Sequence, residues 1–375
     1  MKVVFTRDAA EPALNTVIRS MKRKTDIAIL GDVLLAAYND RLVISATDFD
    51  RRIDVAVAAE VVEAGEICIE GKTLANAIKR WPEGEKVKIE TEDSGARCKV
   101  TCGRSRFRVG ALPADDFPVL DLGPIDVAFA LPGADLARHL GLCLPHVSDD
   151  TIRYYLTGVA VGENSQGELV FVATNGHTLA RVAVDMPEDA GGLELRIIPE
   201  ATVVELARIA GAVKGDDVEI EFSTSAVRVR AADTVYLSKL IDGEFPDYER
   251  IIPTDFAASL TTSAKGLAAA VDRAAVVLKG EATGIALEIG ANVGGDILAV
   301  TAKLGDAEAE SETDATYDGP PRRVGLNADY LRTILAPIGG AEAILSLQAD
   351  NAGAVVVTSD ALPRVTQVIM PVRLP

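Results

Sequence analysis

The 375-residue sequence is poor in the features that mark membrane proteins, disulfide scaffolds and most enzymes. No run of apolar residues approaches the roughly 18 that a membrane span needs. The opening "MKVVFTRDAA" is broken by Arg7 and Asp8, too early for a signal peptide. These absences predict a soluble, cytoplasmic protein. There are four cysteines and no C-x-x-C pair. Cys98 and Cys102 lie four apart in "CKVTC"; on a strand they share a face but stand roughly 13 Å apart, too far for an easy bridge. All four read as buried, reduced thiols. Three histidines among scattered acids give no metal-ligand spacing. No G-x-S-x-G, H-E-x-x-H or paired-carboxylate phrase appears, and His177 after Asn-Gly has no nucleophile motif beside it. "GEICIEGKT" (65–73) approaches a phosphate loop, but five residues separate its glycines and they alternate as a strand. Neither a cofactor nor a metal is expected, and a nucleotide-dependent enzyme, which would rest on "EGKT" alone, is set aside. Aromatics make up 5% of the chain, so its cores rest on Val, Ile, Leu and Ala. Positive charge is also scarce: the net charge is −18, which excludes a nonspecific polycation. It leaves room for one basic face, because salt screens each charge beyond about 10 Å.

What is present is a repeat. "GALPADDFPVL" (110–120) is a shorter cousin of "KLIDGEFPDYERIIP" (239–253), with Phe117 and Phe245 128 positions apart. Strand-like "KVVFT" and helix-like "EPALNTVIRSMK" recur in kind at "IDVAFALPGADLARHLGL" (125–142) and "FAASLTTSAKGLAAAVDRAAVVL" (256–278). A second helix opens in "IEGKTLANAIKRW" (69–81), "IPEATVVELARIAG" (198–211) and "LNADYLRTILAPIG" (326–339), each followed by a turn and an alternating strand. The chain therefore reads as α+β, with three tandem copies of a two-helix, multi-strand domain at 1–124, 125–253 and 254–375. Phe-Pro punctuates the first two copies: an aromatic core plug, then a proline that cannot continue a ladder.

Charge is patterned too. "RSRFR" (104–108) reads as a strand with Arg104, Arg106 and Arg108 on one face. "DAEAESETD" (306–314) reads as a strand with Asp306, Glu308, Glu310, Glu312 and Asp314 on one face. Each alone is a solvated edge charged against aggregation. Together, one in the first copy and one in the third, they predict head-to-tail pairing between molecules, which closes only as a ring. Positive charge collects on the helices: Arg19, Lys22, Arg23 and Lys24, then Lys72, Lys79 and Arg80, with Arg138, His139, Arg208, Lys214, Lys265, Arg273, Lys279 and Arg332 in later copies. A ring with helices inside and sheets outside would present a basic hole that holds a phosphate backbone without reading bases.

The phrases "GRSRF" (103–107), "LPADDFP" (112–118), "RYYLTGV" (153–159), "ATNGHTLA" (173–180), "KLIDGEFPDY" (239–248) and the tail "VIMPVRL" (368–374) occur in order on this repeat. In them the chain resembles the bacterial DNA polymerase III beta subunits, the beta sliding clamps, over its whole length. The resemblance implies a non-enzymatic processivity factor: a homodimeric ring that encircles double-stranded DNA without sequence preference and tethers the replicative polymerase. Its implied partners are the DNA polymerase III alpha subunit, the clamp loader delta subunit and other proteins with a clamp-binding motif, at the nucleoid and not at a membrane. It implies a peptide pocket formed by Leu156, Thr174, Gly176, His177, Thr178, Leu179, Pro246, Arg250, Ile251, Val368, Met370, Pro371, Val372, Arg373 and Leu374. It adds Phe107, Val276 and Val277 to the charged dimer edges. Thr178 stands where the family usually has arginine, Asn175 where it often has aspartate, and Val372 replaces a common methionine. Pro375 extends the usual end, and Glu200-Ala201 occupies a helix start that is basic in some members. The departures at Thr178 and Glu200 motivate the alternative reading, a diverged clamp-fold scaffold that binds peptides without encircling DNA.

Overall fold

The computed structural model describes residues 1–21, 26–213, 215–280, 283–290 and 297–374. Among the described residues six α-helices, two in each third of the chain, are α1 (Arg7–Arg19), α2 (Gly71–Arg80), α3 (Gly133–Cys143), α4 (Glu200–Ala212), α5 (Ala264–Ala274) and α6 (Ala328–Leu335). Each follows a short strand. Lys2–Thr6, Val127–Pro132 and Ala258–Ser263 lead into α1, α3 and α5; Gly65–Glu70, Arg196–Pro199 and Arg322–Asn327 lead into α2, α4 and α6. The strand–helix order repeats three times, as the sequence phrases predict, and the fold is three tandem mixed α and β domains.

Side-chain caps start several helices. Thr6 accepts the Ala9 N–H at the head of α1, and Ser263 accepts the Gly266 N–H at the head of α5. Asn327 takes the N–H groups of Asp329 and Tyr330 at the head of α6. Such caps fill donors that a helix cannot satisfy internally. Apolar residues at helical spacing then bury one face of each: Ala10, Ala13, Leu14 and Val17 in α1, and Leu331, Ile334 and Leu335 in α6.

The chain packs as two compact units. The first comprises residues 1–137, 187–190 and 204–240; the second comprises 138–186, 191–203 and 241–375. Each is built on one twelve-stranded sheet. In the first unit, Arg51–Glu63 pairs with Thr234–Lys239 from the middle third, in the register Ile53↔Tyr236. In the second unit, Thr178–Val184 of the middle third pairs with Val365–Ile369 near the chain end, in the register Leu179↔Val368. The middle third thus supplies strands to both sheets. A strand edge left open inside one repeat is closed by backbone hydrogen bonds from the next.

Phe117 and Phe245 are both buried, Phe117 against Leu34 and Cys68, Phe245 against Leu156 and Tyr248. The four cysteines are buried and unbonded to one another. Burial pushes the Cys68 and Cys98 thiols up to about 12. No helix among the described residues is long and apolar enough to cross a membrane.

Candidate peptide groove, cationic helices and charged strand edges

The second unit gathers most residues of the expected pocket around one tight hairpin. Strands Leu169–Thr174 and Thr178–Val184 are joined by Asn175-Gly176-His177. Asn175 Oδ1 accepts the N–H groups of His177 (2.9 Å) and Thr178 (2.8 Å). Thr174 Oγ1 donates to the Thr178 carbonyl (2.7 Å) and accepts from the Gly176 N–H (3.1 Å). These local bonds let the turn leave the ladder without orphaned donors. Gly176 takes φ +88°, and a Cβ there would lie 2.7 Å from Arg153 Nη1. Arg153 is held by Asp150 (2.9 Å), which keeps that carboxyl below its ordinary range.

Below the turn, Leu156, Leu179 and Val368 pack into one apolar cluster with Phe245, Tyr248 and Val356, and Met370 covers it while half-buried. The chain end then runs out along this surface. The Met370 N–H donates to the His177 carbonyl (2.8 Å), and the Val372 N–H donates to the Gly325 carbonyl (2.9 Å). Leu374 lies on Gly284 and Gly325, where Cβ atoms would come within 3.0 and 2.8 Å of it. The tail therefore divides. Met370 meets the floor of the groove, whereas Val372 and Leu374 rest in a trough of bare backbone. Pro371 is half-buried, and Arg373 is exposed. On the other side Pro246 is half-buried, Ile251 is 43% exposed, and the exposed Arg250 pairs with Asp247 (2.8 Å).

Three further residues belong to this site by contact. Tyr330 of α6 stacks on the His177 ring, with centroids 5.8 Å apart and planes at 19°. Arg153 braces the turn, and His146 Nδ1 sits 2.9 Å from Thr178 Oγ1. Tyr330 comes from a distant helix, so nothing local in "NADYLR" points to His177. The "RYYLTGV" phrase contains Arg153, and its charge beside two tyrosines was the available signal.

In the first unit, α1 packs against α2. Arg19, Lys72, Lys79 and Arg80 are all exposed, with Leu74 and Ile78 on the buried side of α2. Lys22, Arg23 and Lys24 lie outside the described residues, as does Lys214. Later helices carry less available positive charge than their composition suggests. Arg208 pairs with Glu205 (2.9 Å), and Arg332 is gripped by Asp272 and Asp329 (both 2.6 Å). Arg273 donates to Ser311 Oγ (2.7 Å). His139 is buried against the Phe171 ring instead of facing outward.

The charged strands need two corrections at their ends. Ser105–Gly110 begins after Arg104, and Ala307–Asp318 begins after Asp306; both residues sit in the preceding turns, because each hairpin needs its tight reversal there. Arg104 and Arg106 are exposed, whereas Arg108 is spent on Glu92 (2.7 Å). Phe107 faces the other way and packs its ring against Trp81, with centroids 5.8 Å apart and planes tilted by 34°. Ser105–Gly110 is the last strand of its sheet. Glu308, Glu310, Glu312 and Asp314 are exposed along one face of Ala307–Asp318. That strand pairs through residues 307–314 on one side only, among the described residues. Val276, 74% exposed, and the half-buried Val277 lie in a turn packed beside it.

The sequence matches, in order, the N-terminal, central and C-terminal domain models of the DNA polymerase III beta subunit over residues 1–121, 131–247 and 249–373. It is 33% identical over 377 residues to the beta sliding clamp of Caulobacter vibrioides and 29% identical over 377 residues to that of Escherichia coli, covering 100% of each chain. Its structure superposes on the Caulobacter crescentus beta sliding clamp with a TM-score of 0.94 at 33% identity, covering 100% of this chain and 99% of that one. The Bartonella birtlesii sliding clamp, solved bound to griselimycin, gives 0.93 at 28% identity with 100% of both chains covered. With three family domains in register along its whole length, the chain belongs to the DNA polymerase III beta subunit family, the beta sliding clamps.

Proposed function

We propose that the protein is a DNA sliding clamp, a processivity factor and not an enzyme. Two copies join head to tail, the Ser105–Gly110 edge of one against the Ala307–Asp318 edge of the other, and close a ring around duplex DNA. Helices line the bore and sheets form the rim. Each third of the chain, 1–124, 125–253 and 254–375, is one clamp domain. The carrying observation is the match, in order, to the three family domains over residues 1–121, 131–247 and 249–373. Two strand edges of opposite charge, each with an unpaired side among the described residues, support the head-to-tail joint.

In this reading the grip on DNA is topological. Weak phosphate contacts from Arg19, Lys72, Lys79 and Arg80, with Lys22, Arg23 and Lys24, allow sliding while the closed ring prevents escape. The groove of the second unit receives short peptides of the polymerase alpha subunit, the loader's delta subunit and other partners in the cytoplasm. Its apolar floor, the adaptable Met370 and the exposed backbone at Gly176 suit an extended chain. Clamps of Bartonella birtlesii and Pseudomonas aeruginosa are solved bound to griselimycin; we take that compound as the probe, and loss of its binding on deleting residues 370–375 would place it in the groove. The decisive experiment loads the protein onto nicked circular DNA with a clamp loader and ATP. The ring reading requires retention that is lost on linearisation; equal loss from circular and linear DNA would refute it.

A further inference from the structure

Beneath the groove, the structure contains a buried histidine that no surface chemistry requires. His146 is 1% exposed, in the turn Leu144–His146 after α3. Its Nδ1 lies 2.9 Å from the hydroxyl of Thr178, itself 4% exposed. Thr178 Oγ1 also lies 3.3 Å from Asn175 Oδ1, but that oxygen already accepts the His177 and Thr178 N–H groups. A threonine hydroxyl has one proton and two lone pairs, so it can engage both the imidazole and the amide oxygen, the imidazole at the shorter distance. The neutral imidazole and the Thr178 hydroxyl therefore share one buried hydrogen bond in which either group can donate, and the contact to Asn175 Oδ1 is the hydroxyl's other, longer partner. Burial favours this neutral form, with the nearby Gln367 side chain opposing. Gln367 is buried as well and donates to the Ile334 carbonyl at the C-terminal half of α6 (3.0 Å).

We propose that His146 is the positioning residue of the peptide groove: through the Thr178 hydroxyl it fixes the Thr174–Thr178 turn, and with it the His177 carbonyl that anchors the tail at Met370. The inference rests on the groove reading given above and names the residue that holds that groove in its binding shape. The chain of contacts is continuous. His146 fixes Thr178, whose backbone carbonyl is bound by Thr174 Oγ1, whose hydroxyl oxygen in turn holds the Gly176 N–H. Without His146, the Thr178 hydroxyl keeps only the 3.3 Å contact to an amide oxygen that already accepts two N–H groups. Losing the shorter of its two contacts costs the buried hydroxyl part of its hydrogen bonding, and a shift of the turn is the movement that relieves it.

The test uses the full-length protein with griselimycin as probe. Thr178→Val removes the hydroxyl with little change in shape, and His146→Leu removes its imidazole partner. Each should weaken griselimycin binding about tenfold and speed hydrogen exchange at Gly176 and His177 by a similar factor. Thr178→Ser, which restores the hydroxyl, should recover most of both effects. The double variant should be no worse than either single change, since both remove one bond. Should His146→Leu fail to fold, Thr178→Val against Thr178→Ser still decides. Unchanged exchange at Gly176 and His177 in Thr178→Val, or strictly additive losses in the double variant, would overturn the proposal. Deleting residues 370–375 separates the two readings. If that deletion abolishes binding while Thr178→Val does not, His146 is not the positioning residue. If the deletion leaves binding intact, the groove assignment falls, and the exchange rates alone judge His146.

Discussion

Replacing Gly325 with alanine tests how the chain end is held. Gly325 lies in the strand Arg322–Asn327 between Val324 and Leu326, which are 1% and 0% exposed. Alternation therefore points its missing side chain away from the core. A Cβ there would lie 2.4 Å from the Val372 carbonyl oxygen and 2.8 Å from Leu374 Cγ. Neither contact is tolerable, and the tail is the part free to move. Lifting it breaks the Val372 N–H to Gly325 carbonyl bond (2.9 Å), a net loss of about 1 kcal/mol. It also uncovers the half-buried Leu374, worth about another 1 kcal/mol. The docked tail should lose ~2 kcal/mol, about thirtyfold in its equilibrium against the lifted state. Hydrogen exchange at Val372 should quicken by about that factor, and griselimycin affinity should fall by up to as much. Global unfolding should shift little, since alanine is at least as good as glycine within a strand. Wild-type exchange at Val372 together with wild-type griselimycin affinity would show that the trough does not hold the tail.

Arg106→Glu should raise the dimer dissociation constant about tenfold at low salt, with the effect shrinking as salt is added, as read by sedimentation at falling protein concentration. Pairing it with Glu310→Arg should restore much of the loss if the two edges meet between copies, and no rescue would argue against that register. Deleting residues 370–375 should abolish griselimycin binding yet leave the dimer's sedimentation unchanged. Acid stability should report on His146, whose burial pushes its pKa down from 6.5 to about 4. The unfolded chain takes up this proton below pH 6.5 and the folded chain does not until about 4. The contribution is thus fully present above 6.5 and declines by ~3 kcal/mol on acidification to 4. Asp32, raised to about 6 by burial and by Glu70, acts in the opposite sense in the same window. The difference in urea midpoint between wild type and His146→Gln, followed from pH 7 to 4, isolates the histidine and should narrow as pH falls.

The threefold repeat was legible because strand–helix phrases recur in order and helical and strand periods differ; the caps at Thr6, Ser263 and Asn327 then fall where the apolar spacing begins. Charge alternation located the two edge strands, with the turn residues Arg104 and Asp306 misplaced by one position because alternation continues through a tight reversal. Helical charge was a poorer guide. Composition counts Arg208, Arg273 and Arg332 as positive surface, and only packing reveals the carboxylates and hydroxyl that occupy them.

For the groove, the residue phrases supplied the list and the fold supplied the arrangement. Local chemistry dictated the Asn175-Gly176 turn, since a side-chain acceptor and a glycine at positive φ are properties of adjacent residues. The stacking of Tyr330 on His177, the His146–Thr178 bond and the seating of Leu374 on Gly284 and Gly325 join residues 32 to 153 positions apart. Periodicity and propensity act over one turn of helix or one strand pair. Contacts of that range exist only after the sheets have closed, and tertiary packing alone decided them.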